Sequence, residues 1–412
     1  MILLNNNKVN ADFFLLTLVI IMPSTLLIGS AVINITIFLI DILFLFILVR
    51  NKELQFLNSK TFYLLIIIWF ALLINLIFSL NIESSYTRAL GFIRFIILVF
   101  AIKYILNKEL NFKKYIFFSW SILFLIVVVD IFFEYIFGFN TLGFKSYMHG
   151  RVASFLNDEL KIGNFYNGFI LIALSLIYYK FKKINLLLIS LLVFIIISLL
   201  TGERSNFIKC VLMMIIFISV IKMNIFNIKI GVPIIFLSII IFILFQNNSI
   251  KERYINTTFH SSDKITQNLN INTYLKNSKY GAHYNTAFNM FKNYPIFGVG
   301  LKNFRDESRK NIYENSDYFY TSFRQNTHPH QVHLELLAET GLVGYFTFFI
   351  CFFIFLKESI KNHLKNKNLY QLAGIIFIVI SFTPLIPSGS FFTTYGAAIF
   401  WINFAVVESF NS

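Results

Sequence analysis

The segment Thr327-His328-Pro329-His330-Gln331-Val332-His333-Leu334-Glu335-Leu336-Leu337-Ala338-Glu339 places three histidines and two carboxylates where the longest polar stretch meets an apolar run. Ionisable groups at a membrane boundary are expensive to keep, so their presence points to function. A neutral imidazole accepts a proton near physiological pH, which makes histidine a natural general base for a hydroxyl nucleophile. Pro329 suits the first turn of a helix, and a helix starting there predicts His330, His333 and Leu334 on neighbouring positions of one face. A His-x-His-x-x-His run also suits zinc, but no Cys partner or HExxH spacing accompanies it, so no metal is expected. The plain alternative is a structural cluster at the interface.

Arg204, in Thr201-Gly202-Glu203-Arg204-Ser205, is the second candidate. It falls in a very short turn between two apolar runs. A guanidinium presents a planar fork that matches phosphate oxygens, so the chemistry it offers is a clamp for a diphosphate head group. Its plain alternatives are a pair with Glu203 or snorkelling to lipid phosphates.

The elements that must position these groups are membrane helices. Of 412 residues, 57% are hydrophobic and 13% charged, against roughly 45–50% and 25% in a soluble domain. Apolar blocks fall near 12–29, 31–49, 62–80, 88–106, 115–137, 163–179, 184–200, 206–221, 230–246, 335–356, 370–386 and 391–408. Each is close to the length a helix needs to cross a bilayer, and none alternates as a barrel strand would. The chain therefore reads as an all-α integral membrane protein of about twelve transmembrane helices. The N-terminal block reads as an anchor, without a convincing signal-cleavage site. Gly29-Ser30 predicts a tight hairpin or bend between the first two spans. Cys210 and Cys351 lie inside apolar blocks and give no disulfide framework.

Basic residues recur at every second loop: Arg50, Lys52 and Lys60; Lys108, Lys113 and Lys114; Lys180, Lys182 and Lys183; Lys222 and Lys229; Lys357, Lys361, Lys365 and Lys367. These loops are cytoplasmic by the positive-inside rule. The net charge of +15 is thus mainly a topology signal, and no nucleic-acid partner is expected. Segments 138–162, 201–205 and 247–334 fall outside. The last is a large extracytoplasmic module before the tenth helix, flanked by helices 1–9 in 1–246 and helices 10–12 in 335–412. It carries eleven Lys/Arg against six Asp/Glu, either a solvated surface or a cationic mouth for an anionic substrate. Within it Ala287–Lys292 predicts a helix stopped by Pro295, followed by a turn at Gly298-Val299-Gly300.

Asp41, Arg94, Asp130, Glu134 and Lys209 are intramembrane charges, which a transporter would use and a bundle would pair internally. Arg88, Arg151 and Lys161 fall outside; they are available to a phosphate site, but read first as solvated loop residues. A transporter should concentrate charge at mid-membrane and a transferase at the outer face. The densest constellation here is at the outer face.

Ala287-Phe288-Asn289-Met290, Pro295-Ile296-Phe297-Gly298-Val299-Gly300-Leu301-Lys302-Asn303-Phe304 and His330 through Gly344 resemble the O-antigen ligase and polymerase superfamily. Its pattern is Pro-x-x-Gly-x-Gly-x-x-x-Phe, then His-Asn-x-x-Leu and Glu-x-Gly-x-x-Gly. Thr201-Gly202-Glu203-Arg204 is similar to its arginine turn, and Gly150-Arg151-Val152-Ala153-Ser154-Phe155 with Asn157 more loosely to an upstream loop. The resemblance implies metal-independent, cofactor-free, inverting glycan transfer at the outer face of a bacterial inner membrane. The donor it implies is a glycan on undecaprenyl diphosphate; the acceptor is a lipid A–core hydroxyl for a ligase or another lipid-linked glycan for a polymerase. His330 would deprotonate the acceptor and Arg204 would hold the diphosphate, with His333, Glu339 and Arg151 in support. Gln331 replaces the usual Asn. Lys279 stands where the family places a second arginine, supplying charge without the bidentate fork. The ligase reading is preferred, because the His330–Gly344 run looks most like that branch.

Overall fold

A computed structural model describes residues 2–52, 55–148, 150–157, 159–221, 254 and 275–411. The described residues form helices and turns, with no strand among them. In chain order the helices are α1 (Ile2–Ile28), α2 (Ser30–Asn51), α3 (Lys60–Ile77), α4 (Ile82–Gly91), α5 (Ile93–Lys108) and α6 (Leu110–Phe137). They continue as α7 (Ile162–Phe181), α8 (Ile184–Leu200), α9 (Arg204–Val220), α10 (Lys279–Asn293), α11 (Val332–Asn366), α12 (Leu369–Ser381) and α13 (Thr394–Glu408). Among the described residues, seven stretches are long and apolar enough to cross a bilayer, with α4 and α5 counted as one; α8, α12 and α13 are shorter apolar helices. The predicted span at 230–246, the basic pair Lys222 and Lys229, and 247–253 and 255–274 of the outer segment lie outside the described residues.

Local chemistry sets many helix ends. Ser59, Asn81, Ser278 and Asn368 accept backbone N–H groups of the first turns of α3, α4, α10 and α12, satisfying donors that have no intrahelical partner. Gly29, at φ 146°, makes the predicted bend between α1 and α2. The helices turn large apolar side chains outward, Phe38 (62% exposed), Phe70 (55%) and Phe353 (69%) among them. A soluble protein would not expose such a surface, and lipid is the solvent that suits it.

Inside, α7 and α13 form the centre of the bundle, α7 packing on α6, α8, α9 and α12 and α13 on α5 and α12. Small residues allow close crossings: Gly168 lies against Ile399, and Gly374 against Val407. Buried aromatic polar ends find carbonyls, Trp120 Nε1 donating to Val19 at 3.0 Å and Tyr166 Oη to Phe194 at 2.7 Å. Asp130 and Glu134 are spent on folding. Asp130 accepts from Thr141 N at 2.8 Å and Ser154 Oγ at 2.5 Å, and Glu134 from the Ala153 and Ser154 amides at 3.2 and 2.6 Å. These carboxylates shape the loop that carries Arg151. Arg94 donates to Asn34 Oδ1 at 2.7 Å.

Three local expectations are corrected. No helix starts at Pro329: α11 begins at Val332 with Gln331 as its N-cap, whose side chain accepts from Leu334 N at 2.8 Å. His330 lies before the cap at φ 56°, so it does not share a helical face with His333. The helix predicted at Ala287–Lys292 extends back to Lys279, where Ser278 caps it. The block at 370–386 stops being helical after Ser381, and the chain re-enters as α13 only at Thr394.

Candidate active site

The Pro-x-x-Gly-x-Gly and Glu-x-Gly-x-x-Gly runs turn out to be one structural device. Inside α11 the backbone breaks at Gly341 (φ 63°, ψ −166°). The turn at Pro295–Gly300 fits into that break. Leu342 N and Val343 N donate to the Pro295 and Ile296 carbonyls at 2.8 and 3.1 Å, while Val299 N and Gly300 N donate to Ala338 and Glu339 at 2.9 and 3.0 Å. Asn75 of α3 closes the knot, its Nδ2 donating to the Phe297 and Glu339 carbonyls at 2.5 and 2.9 Å. The groups freed by the broken helix are thereby paired, as burial at membrane depth demands. A Cβ at Gly341 would run into the Ile296 carbonyl, and its φ is one that L side chains rarely adopt. Gly341→Ala should therefore destabilise the protein by about 2 kcal/mol or more, read as a lower unfolding temperature of the purified protein.

This lock fixes where the chain leaves the outer segment, and a histidine cluster sits at that exit. The His330 ring lies 4.1 Å from His328 and 5.3 Å from His283, with Tyr280 edge-on at 5.7 Å. Asn326 orders the cluster. Its Oδ1 accepts from Thr327 N at 2.7 Å, so its Nδ2 is the donor toward His330 Nε2 at 3.2 Å and His283 Nε2 at 3.4 Å. Both Nε2 atoms are therefore assigned as unprotonated acceptors. Burial pushes the His330 imidazole below its ordinary value, against a hydrogen bond to the Ser388 backbone that raises it. Burial, with His330 alongside, pushes His328 down to about 3 and His283 to about 4. At neutral pH the cluster is uncharged and His330 Nε2 is in its basic form.

The arginine side is built from the two upstream motifs. A Cβ at Gly202 would collide with the Gly150 carbonyl, and Val152 N donates to Thr201 O at 3.2 Å. The turn at 201–204 and the strip from Gly150 therefore form one wall. Arg151 donates to Leu160 O at 2.6 Å and lies 3.8 Å from Glu203. Glu203 also accepts from Gly163 N at 2.9 Å and Asn206 Nδ2 at 2.6 Å, so it braces the turn from which Arg204 opens α9.

Both sides open onto one cavity of about 620 Å³. Arg88, Arg151, Arg204, Lys209, His328 and His330 line it, against an apolar wall that includes Met213, Phe377 and Phe400. Cations outnumber the single lining carboxylate, Glu203, so the cavity favours an anion. Among the described residues lining it, the buried atoms without a hydrogen-bond partner are Arg151 Nε, Asn167 Oδ1, His328 Nε2, Ser388 Oγ and Tyr395 Oη. Among the described residues, no group of three or more His, Cys, Asp or Glu side chains is placed to hold a metal ion.

The predicted site residues divide. His330, Arg204 and Arg151 come together in this cavity. His333 faces away from it, its Nε2 2.8 Å from the Phe382 carbonyl, its Nδ1 3.1 Å from Tyr345 Oη and its ring stacked on Phe349. Glu339 is 2% exposed and receives the Lys302 and Phe304 amides, holding the glycine turn. Lys279 stands over the Phe323 ring at 4.0 Å and is not part of the cavity wall. Arg88 and Lys161, expected as solvated loop residues, line the cavity instead because α4 and the approach to α7 close over it. The signal for Arg88 was present as Arg88 and Arg94 in an otherwise apolar run. Nothing in the sequence pointed to Ser388.

The fold and site define a multi-pass membrane protein with a cationic cavity beside a neutral histidine cluster. A family model described as O-antigen ligase matches residues 187–349, and over this region the match supports the likeness to the O-antigen ligase and polymerase superfamily. The match covers α8, α9, α10 and the first half of α11, hence both Arg204 and His330. It supports membrane glycan transfer of the ligase or polymerase type on lipid-linked glycans. No curated protein matches the chain significantly.

Proposed function

We propose that the protein transfers a glycan from undecaprenyl diphosphate to a hydroxyl of a lipid A–core acceptor, at the outer face of a bacterial inner membrane. The observation that carries this reading is that one cavity joins a neutral histidine, a set of guanidinium groups and an apolar wall. His330 Nε2 takes the proton of the acceptor hydroxyl. The oxygen attacks the anomeric carbon opposite the diphosphate, the carbon–oxygen bond to phosphate breaks, and undecaprenyl diphosphate leaves with the electron pair. The product is inverted. Arg204, with Arg151 beside it, holds the diphosphate as its charge grows, the type of electrostatic stabilisation that contributes most when prearranged in a water-poor site. No metal or cofactor is required. Lys279, outside the cavity wall, supplies only long-range positive charge, and His333 and Glu339 hold the backbone that presents His330.

The acceptor separates ligase from polymerase. In a deletion strain complemented with the protein, a ligase restores glycan on lipid A–core, whereas a polymerase restores a ladder of longer lipid-linked chains. His333→Ala should lower the unfolding temperature through loss of its bonds to Phe382 and Tyr345, roughly 1–3 kcal/mol. Transfer per folded molecule should fall no more than about threefold, because no proton transfer is assigned to it. A loss as large as that of His330→Ala would move the base to His333.

The proposed topology has twelve crossings, with 1–246 holding the first nine, 247–334 outside and 335–412 holding the last three. Reporter fusions after Gln246 and after Lys365 should then report opposite compartments. The same compartment for both would overturn the arrangement.

A further inference from the structure

Asn206, Lys209 and Met213 follow the i, i+3, i+7 spacing of one helical stripe, and all three line the cavity from α9. At 1.5 Å rise per residue, Lys209 lies ~7.5 Å farther along the helix than Arg204, toward Met213 and the apolar wall. It differs from the other cations of the cavity. Arg88 reaches Thr394 Oγ1 at 3.5 Å, Arg151 has the Leu160 carbonyl and Glu203, and Lys161 pairs with Glu159. Among the described residues, Lys209 has neither a carboxylate nor a hydrogen-bond partner. Lys209 lines the cavity with no anion beside it among the described residues, so an anion entering there meets an unpaired cation.

The order along α9 gives that anion a position. Arg204 is at the turn, Lys209 is a turn and a half deeper, and Met213 is deeper again, so the cavity lining contributed by α9 passes from cationic to apolar along the helix. A diphosphate that joins a sugar to a hydrocarbon chain has the same order of chemistry. We infer that Lys209 is the binding residue for the phosphate attached directly to the prenyl chain, while Arg204 holds the phosphate attached to the sugar. This rests on the donor proposed above and divides its two charges between two residues. It also gives the departed lipid diphosphate a site that does not depend on the sugar.

The test uses the full chain in nanodiscs and measures binding of geranylgeranyl diphosphate and geranylgeranyl monophosphate. Lys209→Met should weaken both ligands about tenfold or more, since each carries a chain-side phosphate. Lys209→Arg should restore most of that loss. Arg204→Lys should weaken the diphosphate and spare the monophosphate. If Lys209→Met fails to fold, Lys209→Gln, which retains length and polarity, carries the same expectation. Unchanged binding in the Lys209 variants, with Arg204→Lys still weakened for the diphosphate, would overturn the inference and leave the donor reading standing. Loss in the Lys209 variants with none in Arg204→Lys would support Lys209 and remove the arginine clamp. Loss for the diphosphate alone in the Lys209 variants would overturn its assignment to the chain-side phosphate. Equal competition by phosphatidylglycerol in the nanodisc would make it a site for bulk lipid, also against the inference. Equal competition by inorganic diphosphate would show that the chain plays no part, with the same consequence.

Discussion

His330→Ala should abolish glycan transfer while leaving a folded protein in the membrane. General-base catalysis by a positioned side chain typically contributes a factor of about 10²–10⁴, so residual activity should fall below ~1% of wild type. Folding should survive because the His330 ring is only half-buried and the bond from Ser388 N at 2.8 Å goes to the His330 backbone carbonyl, which alanine keeps. The pH profile supplies an independent readout. Burial holds the imidazole below its ordinary value, so the basic form predominates at neutral pH. Transfer should therefore stay level above about pH 6.5 and fall only as acid protonates Nε2. The measurement is transfer in a deletion strain, normalised to membrane-inserted protein. Wild-type transfer by His330→Ala would remove the base assignment.

Arg204→Lys should keep the charge and lose most of the activity. The guanidinium offers two parallel N–H donors to adjacent phosphate oxygens, and an ammonium cannot reproduce that fork. One charge-assisted pair is worth roughly 1.5–3 kcal/mol, so the loss should be about ten- to a hundredfold. Lipid-linked glycan should accumulate untransferred, and a chelator should not mimic the defect. A transporter would leave its solute on one side with no lipid-linked intermediate building up. Full activity in Arg204→Lys, or chelator inhibition reversed by added metal, would count against the mechanism. The turn itself should be unaffected by the substitution, because Glu203 braces it through Gly163 N and Asn206.

The sequence by itself determined the solvent and the main vocabulary of the fold. Apolar blocks of bilayer length specify membrane helices because an unpaired backbone is too costly in hydrocarbon, so periodicity and length suffice without knowledge of neighbours. His330 and Arg204 were legible for a similar reason: their chemistry is intrinsic, and each stands at the edge of an apolar run. Tertiary structure decided everything that depends on distant partners. Pro329 favours a helix start locally, yet Ser388 N and the Gln331 cap hold His330 in a left-handed conformation outside the helix. His333, three residues on, was claimed by Tyr345 and the Phe382 carbonyl. Gly298 and Gly300 read as one turn and Gly341 as part of a membrane span, but the turn fits only because α11 breaks at Gly341, where Pro295 and Ile296 can complete its hydrogen bonds. Arg88 and Lys209 became cavity residues only when α4 and α9 faced each other across it. Helical periodicity is a local property of backbone geometry. A site assembled from stretches far apart in the chain is fixed by packing and by hydrogen bonds between residues hundreds of positions apart, and neither leaves a periodic trace in the sequence.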